Sequence, residues 1–561
     1  MRRKHRISLF TFLALAGLFV GIFGSNFAFA QVHVAGHVHA SQSSSSATTG
    51  FLKLAGQVTV STLPAAGKLS VISHPAPKSV RHFQQAGAAP TMQMPTVASQ
   101  VNTGPTGTLQ RNFNGVGSLD SAITNFGAEF EPPDQGLCEG NGFVVEPVNS
   151  AFTIYHTNGK VVAGPFNVNA LFSEGLTEFT SDPRCYYDKS TNTWFASILF
   201  ISADNTRSHT DIAVNPSGDP TTTWTDYQID TTNDGTNGTP LHTGCPCLGD
   251  QPLLGLDAFN FYSSTNEFSI LGTQFNGAQI YAISKADLVS LSSKVHFVLF
   301  PNLTIGGNVA TSIQPAITYG SANAEYFLNS LDPFGTFDNR LGVWAMTHGD
   351  LVAKGGIPTL SQVVITSEPY GIPPKSIQQG ATSVLDSGDD RMMQVQFING
   401  ALWGALGTSV TIQHDTAARA GIAWFQVTPR LSGNALSGAT MNKQGYVAKL
   451  GNYLIYPSIE VGRTGTATIG MTLSGSTFFP SVAYTVMKAK GSSFGPIRMV
   501  AAGTGPYDPA ATRWGDYSAA VLDPTSNSIW MANEYIPPVS SQTTDGLRNW
   551  GTRVFEVSAT I

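Results

Sequence analysis

The chain has 561 residues, a formal net charge of −6, and only 12% of its residues are charged. A net acidic chain of this kind is a poor partner for nucleic acid, because phosphate binding needs a basic face. No nucleic-acid partner is therefore expected.

The first 30 residues are predicted to be a signal peptide. Four basic residues precede an apolar run over residues 7–23, and Ala-Phe-Ala follows at residues 28–30. An uncleaved membrane anchor is the alternative, since the run is nearly long enough to span a bilayer. No later segment is that long and apolar, so we expect a secreted, extracellular protein with no membrane contact after cleavage.

Residues 31–110 are rich in Ser, Ala, Gln, Thr, Gly and Pro and show little periodicity. This composition predicts a disordered leader. From about Asn112, short apolar runs alternate with Gly, Asn, Asp and Pro turns, and no helical period stands out. That pattern is typical of an all-β domain, which we place at residues 111–561.

Seven strand–turn units repeat along this domain. Their turns fall at Asn141, Asp188, Asp257, Gly320, Asp386, Gly462 and Asp523. Second and third strands follow each turn, and a fourth usually follows them. The pattern predicts a seven-bladed β-propeller of four-stranded antiparallel blades. Two β-sandwiches are the alternative, although they do not predict seven matching units.

The seventh unit ends after its third strand, near Val557. An N-terminal segment around Arg111–Gly117 is predicted to supply the missing strand and close the ring, which would remove two exposed sheet edges. The fifth unit is the weakest match, because an extra strand-like stretch lies at Met392–Phe397.

Four stretches carry a family resemblance: PPDQGLCEGNGFVVEPVNSAFTIYHTNGKVVAGP, SDPRCYYDKSTNTWFASIL, NGAQIYAISK and RWGDYSAAVLDPTSNSIWMANEY. They resemble secreted bacterial sialidase-like β-propellers with BNR repeats. The segment Ser217–Trp224 is similar to the Asp-box of that family, with Thr221 in place of its Gly. The resemblance implies a propeller fold and a structural role for the Asp-box turn.

The catalytic set of sialidases is not carried over. It comprises three arginines, a Tyr–Glu pair and an Asp, and no local motif assigns an arginine of this chain to the triad. The resemblance therefore implies the fold, while activity has to be argued separately.

Acids recur at the start of the first strands. Asp134, Asp250 and Asp516 share one position in the first, third and seventh units, and Asp182 lies one residue later in the second. First strands line the channel of a propeller, so these acids are predicted to meet at its mouth. Each acid could instead bond backbone amides of the next blade.

Glu267 and Glu534 end the second strands of the third and seventh units. They are predicted to reach the same rim, since an antiparallel hairpin returns to its starting edge. Paired carboxylates suit acid–base chemistry on glycosides. The candidate catalytic residues are Asp250, Glu267, Asp516 and Glu534, and the candidate ligand-binding residues are Asp134, Asp182, Arg184 and Arg513.

Four cysteines, Cys138, Cys185, Cys245 and Cys247, form an even set, which predicts disulfides in an exported chain and leaves three pairings open. Zinc is the alternative, but Cys-Pro-Cys lacks the usual ligand spacing. No cofactor is expected, although Ca²⁺ is another use for the channel acids.

We expect a monomer that binds an extracellular glycan or protein at the channel mouth. The alternative is a glycoside hydrolase that uses the rim carboxylates as acid and nucleophile or base.

Overall fold

The structure is a computed structural model that describes residues 41–42, 47–64, 93–100, 103–104, 106–127, 130–331, 337–507, 513–538 and 549–558. The predicted signal peptide lies outside these residues. The described part of the chain is built of strands with a few short helices, which confirms the all-β prediction. None of its helices is long and apolar enough to cross a membrane.

Four strands precede the repeating part: β1 (Ser41–Gln42), β2 (Thr48–Thr59), β3 (Thr96–Val97) and β4 (Thr108–Gly117). Unit 1 contains β5 (Cys138–Gly140), β6 (Phe143–Pro147), β7 (Ala151–His156) and β8 (Val161–Asn167). Unit 2 contains β9 (Phe179–Asp188), β10 (Thr193–Ile201), β11 (Ser208–Asn215) and β12 (Thr223–Asp230). Unit 3 contains β13 (Cys247–Leu256), β14 (Asn260–Ser269), β15 (Phe275–Ser284) and β16 (Val295–Phe300).

A small hairpin of β17 (Thr304–Ile305) and β18 (Asn308–Val309) follows. Unit 4 contains β19 (Gln314–Thr318), β20 (Glu325–Ser330), β21 (Asp338–Thr347) and β22 (Thr359–Tyr370). Unit 5 contains β23 (Gln394–Ile398), β24 (Ala401–Ile412), β25 (Ala418–Ser432) and β26 (Ala435–Val447). Unit 6 contains β27 (Asn452–Val461), β28 (Ala467–Gly475), β29 (Phe478–Met487) and β30 (Arg498–Ala501).

The last strands are β31 (Ala519–Leu522), β32 (Ser528–Tyr535) and β33 (Gly551–Ser558), which with β4 make unit 7. Two short α-helices, α1 (Ser118–Thr124) and α2 (Lys285–Val289), lie in connections, as do three 3₁₀ turns at Val60–Thr62, Val168–Phe172 and Gly349–Lys354. Consecutive strands of each unit pair antiparallel. The same holds in the later units.

The stretch predicted as a disordered leader contains a twelve-residue strand, β2. Its C-terminal half pairs antiparallel with β12 of unit 2, and its N-terminal half pairs with β16 of unit 3. Leu52 is buried in the apolar cluster between these units. Composition predicted disorder, but two open strand edges offer β2 backbone partners that composition does not record.

The predicted position of the first strand of unit 5 is also wrong. The repeat placed it at residues 379–386, whereas the structure has β23 at Gln394–Ile398, within and just beyond the stretch noted as extra. Residues 376 and 385 instead form an isolated antiparallel bridge. The long connection before β23 contains Gly and Asp residues that favour turns. They match the turn pattern of the repeat although no first strand lies there.

First strands share a kink near their start. In six units a residue there has a φ between 42° and 61°: Asp134, Asp182, Gln251, Ser312, Tyr456 and Gly515. In units 2, 3 and 6 this residue precedes a proline, and the ladder skips both residues. Proline has no N–H to donate, so an X-Pro pair favours a bulge, and a bulge re-aims the neighbouring side chains.

Apolar clusters join each unit to the next. One packs units 1 and 2, and others pack units 2 and 3, 3 and 4, and 4 and 5. A larger cluster joins units 5, 6 and 7. Leu137, Val144 and Tyr155 of unit 1 then pack against Val521, Trp530 and Val554 of unit 7. Unit 7 therefore contacts both unit 6 and unit 1.

Hydrogen bonds also join first strands of units that are not consecutive in sequence. Gln394 of unit 5 exchanges two bonds with the Ala520 backbone of unit 7, at 2.7 and 3.1 Å. The Tyr319 hydroxyl lies 3.1 Å from a Glu460 carboxylate oxygen of unit 6 and 3.4 Å from the Leu522 amide of unit 7. These contacts require the first strands to converge.

Cys138 is paired with Cys185, and Cys245 with Cys247. The first bridge connects the first strands of units 1 and 2. The structure thus selects one of the three pairings that the sequence left open, and no described cysteine is free.

The segment resembling an Asp-box forms a turn between β11 and β12. The Asp219 carboxylate accepts bonds from the backbone N–H and the hydroxyl of Thr221, at 2.9 and 2.7 Å. The buried Trp224 donates its indole N–H to the Pro220 carbonyl at 2.8 Å. These contacts fix the turn, while membership of the Asp-box family stays a prediction.

Removing the two disulfides should have unequal effects on stability. The Cys138–Cys185 bridge spans 47 residues and the Cys245–Cys247 bridge spans 2. Loop-closure entropy then predicts losses of about 4 and about 1 kcal/mol for the respective double Cys→Ser variants. Urea unfolding of the two variants beside wild type measures the difference, and equal losses would contradict the prediction.

Glu460 should make stability depend on pH. Burial raises its pKa from 4.5 to about 8, although bonds from the Val461 amide and Tyr319 oppose the shift. The folded chain keeps a proton that the unfolded chain has released, so stability falls as pH rises from about 4.5 to about 8. Glu460→Gln should remove this loss and gain stability on the order of a few kcal/mol at pH 9.

Urea midpoints of wild type and Glu460→Gln at pH 4.5 and pH 9 test this expectation. A gap between the two proteins that does not widen at the higher pH would show that Glu460 is ionised in the folded chain.

Candidate functional site

The starts of the first strands surround one cavity. Its polar side is formed by Asp182, Asp250, Gln251, Arg391, Arg513 and Asp516. Its apolar side is formed by Phe179, Leu199, Ile201, Leu248, Phe268 and Ile270, which belong to the ends of β9, β10, β13 and β14 or to the residue after β14. Residues 130–132, Asn149 of unit 1, and Thr180 and Ser181 of unit 2 complete the lining. We call this space the mouth cavity.

Three carboxylates meet beside the mouth cavity, and two of them, Asp182 and Asp516, belong to its lining. One oxygen from each of Asp134, Asp182 and Asp516 lies within 4.8 Å of the other two. They come from units 1, 2 and 7, and both Asp134 and Asp182 occupy the kinked position. We call these residues the aspartate cluster. The structure thus brings Asp134, Asp182 and Asp516 together, and Asp250 lines the mouth cavity with Asp182 and Asp516.

Asn149 holds the aspartate cluster together. Its amide donates to the Asp134 carboxylate at 2.8 Å and to the Pro132 carbonyl at 2.8 Å. Its side-chain oxygen accepts the Asp182 backbone N–H at 2.8 Å. Asp134 also accepts the backbone N–H of Asp516, which ties unit 7 to unit 1. One amide side chain thus fixes both kinked residues.

Burial dominates the electrostatics of the cluster. Burial, followed by repulsion from Asp516, raises the pKa of Asp134 to about 7, with Arg513 opposing. Burial and repulsion from Asp134, Asp250 and Asp516 raise the pKa of Asp182 well above its ordinary value. Three like charges in this space repel one another strongly, so the cluster favours a bound proton or cation.

Two guanidinium groups border the mouth cavity. Arg513 donates to the Asp516 carboxylate at 2.5 Å. Arg391 makes two parallel bonds to Asp389, at 2.8 and 2.5 Å, and a further bond to the Gln251 side chain. Burial alone would lower the pKa of Arg391. The negative charges of Asp389, and then of Asp516 and Asp250, outweigh burial and raise this pKa above its ordinary value. Both groups therefore stay charged at neutral pH.

Glu267 does not reach the mouth cavity, contrary to the sequence prediction. It lies opposite Gly249, one pair along from Asp250 and Asn266, and adjacent pairs point to opposite faces of a sheet. The fully buried Glu267 carboxylate contacts His242 Nδ1 at 2.8 Å. Two residues at the same rim can therefore face opposite sides of the sheet, because side chains alternate along a strand.

Glu534 and Arg184 also take positions other than those expected. Glu534 is 2% exposed and does not line the mouth cavity; burial and repulsion from Asp134, Glu131 and Asp516 raise its pKa well above its ordinary value. Arg184 lines a narrow space between the first strands, and its guanidinium stacks 3.4 Å from the Tyr517 ring centroid.

Sequence reasoning missed Arg391 and Asn149. Arg391 follows the Asp-rich segment 386–390 and precedes β23, so the misplaced first strand of unit 5 concealed it. Asn149 lies in an ordinary turn between β6 and β7, and no local signal singles it out.

No protein-family model and no curated protein matches the chain. Among solved structures it is similar to Trypanosoma rangeli sialidase in complex with sialic acid, with 10% identity, a TM-score of 0.34, and coverage of 72% of this chain and 57% of that one. It is similar to an α-L-arabinofuranosidase from Fusarium graminearum, with 11% identity, a TM-score of 0.32, and coverage of 79% and 97%.

A GH43 endo-arabinanase from Bacillus licheniformis is a third similar structure, with 13% identity, a TM-score of 0.25, and coverage of 55% of this chain and 97% of that one. All three TM-scores lie below 0.5, so function has to be argued from this chain's own residues.

Asn149→Asp should destabilise the fold strongly. The change replaces a donor to Asp134 by a fourth carboxylate inside the aspartate cluster. A loss of about 2–4 kcal/mol is expected from repulsion and the lost bond. The control is Asn158→Asp, at an exposed turn where the side-chain oxygen only accepts the Lys160 amide. Equal urea midpoints for the two variants would contradict the role given to Asn149.

Proposed function

We propose that this chain is an exported seven-bladed β-propeller that binds a glycan in the mouth cavity. The observation that carries the proposal is the cavity itself. It gathers carboxylates and guanidinium groups contributed by units 2, 3, 5 and 7 and sets them against an apolar wall from units 2 and 3.

A closed ring of seven blades is supported by the strand pairings and packing. Unit 7 takes its fourth strand, β4, from the N-terminal side of unit 1. The apolar contact between Leu137 and Val521 lies in the cluster that joins these same units. Closure of this kind leaves no long exposed edge, which favours a propeller over two sandwiches.

The lining of the mouth cavity suits a sugar. Carboxylates and guanidinium groups form strong hydrogen bonds with hydroxyl groups. The apolar wall, with Phe179 and Phe268, can cover the C–H face of a pyranose or furanose ring. A concave pocket with a few convergent polar groups is typical of small-molecule and oligosaccharide sites, whereas a protein partner would need a larger surface.

Export is supported by the predicted signal peptide and by two disulfides in the described part of the chain. Disulfides form and persist in oxidising compartments outside the cytosol. The low share of charged residues is also in keeping with an extracellular β-protein.

Hydrolysis is the second candidate, and the geometry supports it less well. Retaining hydrolases hold two carboxyl groups about 5 Å apart, with room for a sugar between them. The oxygens of the aspartate cluster lie within 4.8 Å of one another, which is close to that spacing, so this distance does not separate the two candidates. Two of the four predicted catalytic acids, Glu267 and Glu534, do not line the mouth cavity.

Binding of polysaccharides to the mature chain tests the proposal. A panel of plant, bacterial and host glycans is titrated against wild type, Asp250→Asn and Arg391→Gln by isothermal calorimetry. Each variant should weaken binding of the recognised glycan roughly tenfold or more, because a bond to a charged group contributes about 1.5–3 kcal/mol.

Asp350→Asn is the matched control, since Asp350 lies on the surface in a pair with Lys354. It should bind the glycan as wild type does. Absence of binding across the panel, or binding that Asp250→Asn leaves unchanged, would refute the proposal. Release of reducing sugar by wild type but not by Asp516→Asn would replace it with the hydrolase.

A further inference from the structure

The spacing of the aspartate cluster matches the coordination sphere of a large cation. Oxygen ligands of Ca²⁺ lie about 2.3–2.6 Å from the ion, so two ligands on opposite sides are about 5 Å apart. One oxygen each from Asp134, Asp182 and Asp516 lies within 4.8 Å of the others. A single ion can therefore touch all three without moving the backbone.

Charge around the cluster is unbalanced. Besides the three aspartates, Asp250 and Glu534 act electrostatically on members of the cluster. Arg513 pairs with Asp516 and Arg184 acts on Asp182, whereas Arg391, the other guanidinium of the mouth cavity, is paired with Asp389. Buried like charges in this excess must be neutralised by protons or by a cation.

Glu534 supplies a second, independent observation. Its side chain is 2% exposed, and neither carboxylate oxygen meets a hydrogen-bond donor with acceptable geometry. Glu534 Oε2 lies beside Gly515, the residue before Asp516, and the Gly515 backbone N–H is near enough to lower the pKa of Glu534. A buried carboxylate without a good donor is costly unless something positive satisfies it.

We propose that Asp134, Asp182 and Asp516 bind a Ca²⁺ ion beside the mouth cavity, with Glu534 nearby. The donor set is all oxygen, which favours a hard cation over Zn²⁺ or Cu²⁺. Ca²⁺ is favoured over Mg²⁺ because it accepts irregular geometry and several carboxylates from separate strands.

The hydrogen bonds around the aspartate cluster would orient the metal ligands. Asn149 orients Asp134 and the backbone of Asp182, and Arg513 orients Asp516. Such outer contacts commonly hold metal ligands in place. The ion would also join units 1, 2 and 7, so it should stabilise the fold by binding the native chain alone.

Terbium luminescence and calorimetry test the site on the mature chain after removal of metals with EDTA. Tb³⁺ replaces Ca²⁺ in oxygen sites, and the buried Trp514, next to Arg513 and Gly515, is placed to sensitise it. Wild type should show saturable Tb³⁺ emission that Ca²⁺ displaces, and CaCl₂ should raise the melting temperature.

Asp134→Asn and Asp182→Asn should each weaken Ca²⁺ binding roughly tenfold or more, since affinity follows the number of charged ligands. The matched control is Glu174→Gln, because Glu174 belongs to a separate cluster with His209 and Asp211. Circular dichroism checks that the variants fold. Asp516→Asn, at a partly exposed position, is the second variant if Asp134→Asn does not fold.

Loss of binding in the aspartate variants with retention in Glu174→Gln supports the site. No heat and no displaceable emission at millimolar CaCl₂ would overturn it, as would unchanged binding in both Asp134→Asn and Asp182→Asn. The outcome is separable from the proposed function, because Ca²⁺ binding without any glycan refutes only the latter. Glycan binding that persists in EDTA, without Ca²⁺ binding, refutes only the former.

Discussion

The contact between the first and the seventh unit brings the three members of the aspartate cluster together. Asp516 donates its backbone N–H to the carboxylate of Asp134, a residue 382 positions earlier in the chain. The apolar cluster around Trp530 packs the same two units together, and the β4–β33 ladder completes unit 7 with a strand that precedes unit 1 in the chain. Without this contact between units 1 and 7, Asp516 and its partner Arg513 would lie at a free edge, away from Asp134 and Asp182.

Local chain chemistry places the acids within that frame. In units 2, 3 and 6 the ladder skips an X-Pro pair, since proline has no N–H to donate. Asp182 stands before Pro183 in one of these pairs and has a positive φ. Asn149 fixes this kink through the Asp182 amide. In unit 1 the same side chain bonds the carboxylate of the kinked Asp134, which no proline follows, so a contact with a neighbouring element supports both positions.

Sequence predicted the repeating units, apart from the first strand of unit 5, and the meeting of Asp134, Asp182 and Asp516, because each acid stands at or within one residue of the same position in a first strand. Prediction from sequence failed where the position of a residue also depended on strand alternation or on a partner strand. Glu267 shares the rim with Asp250 but faces away, since the two residues stand in adjacent cross-strand pairs. The strand β2 could not be foreseen, because its stability comes from open edges on β12 and β16 and not from its own composition.

Acids occupy the kinked position in units 1 and 2, at Asp134 and Asp182, and Asp250 and Asp516 flank it in units 3 and 7. The residues at the kink in units 3, 4, 6 and 7 are neutral: Gln251, Ser312, Tyr456 and Gly515. The fold can therefore make this kink from neutral residues. Burying several carboxylates together costs stability, and apolar or neutral polar residues would avoid that cost. Under the two proposals made above, this cost is offset when a cation binds the aspartate cluster or a hydroxyl-rich ligand occupies the mouth cavity.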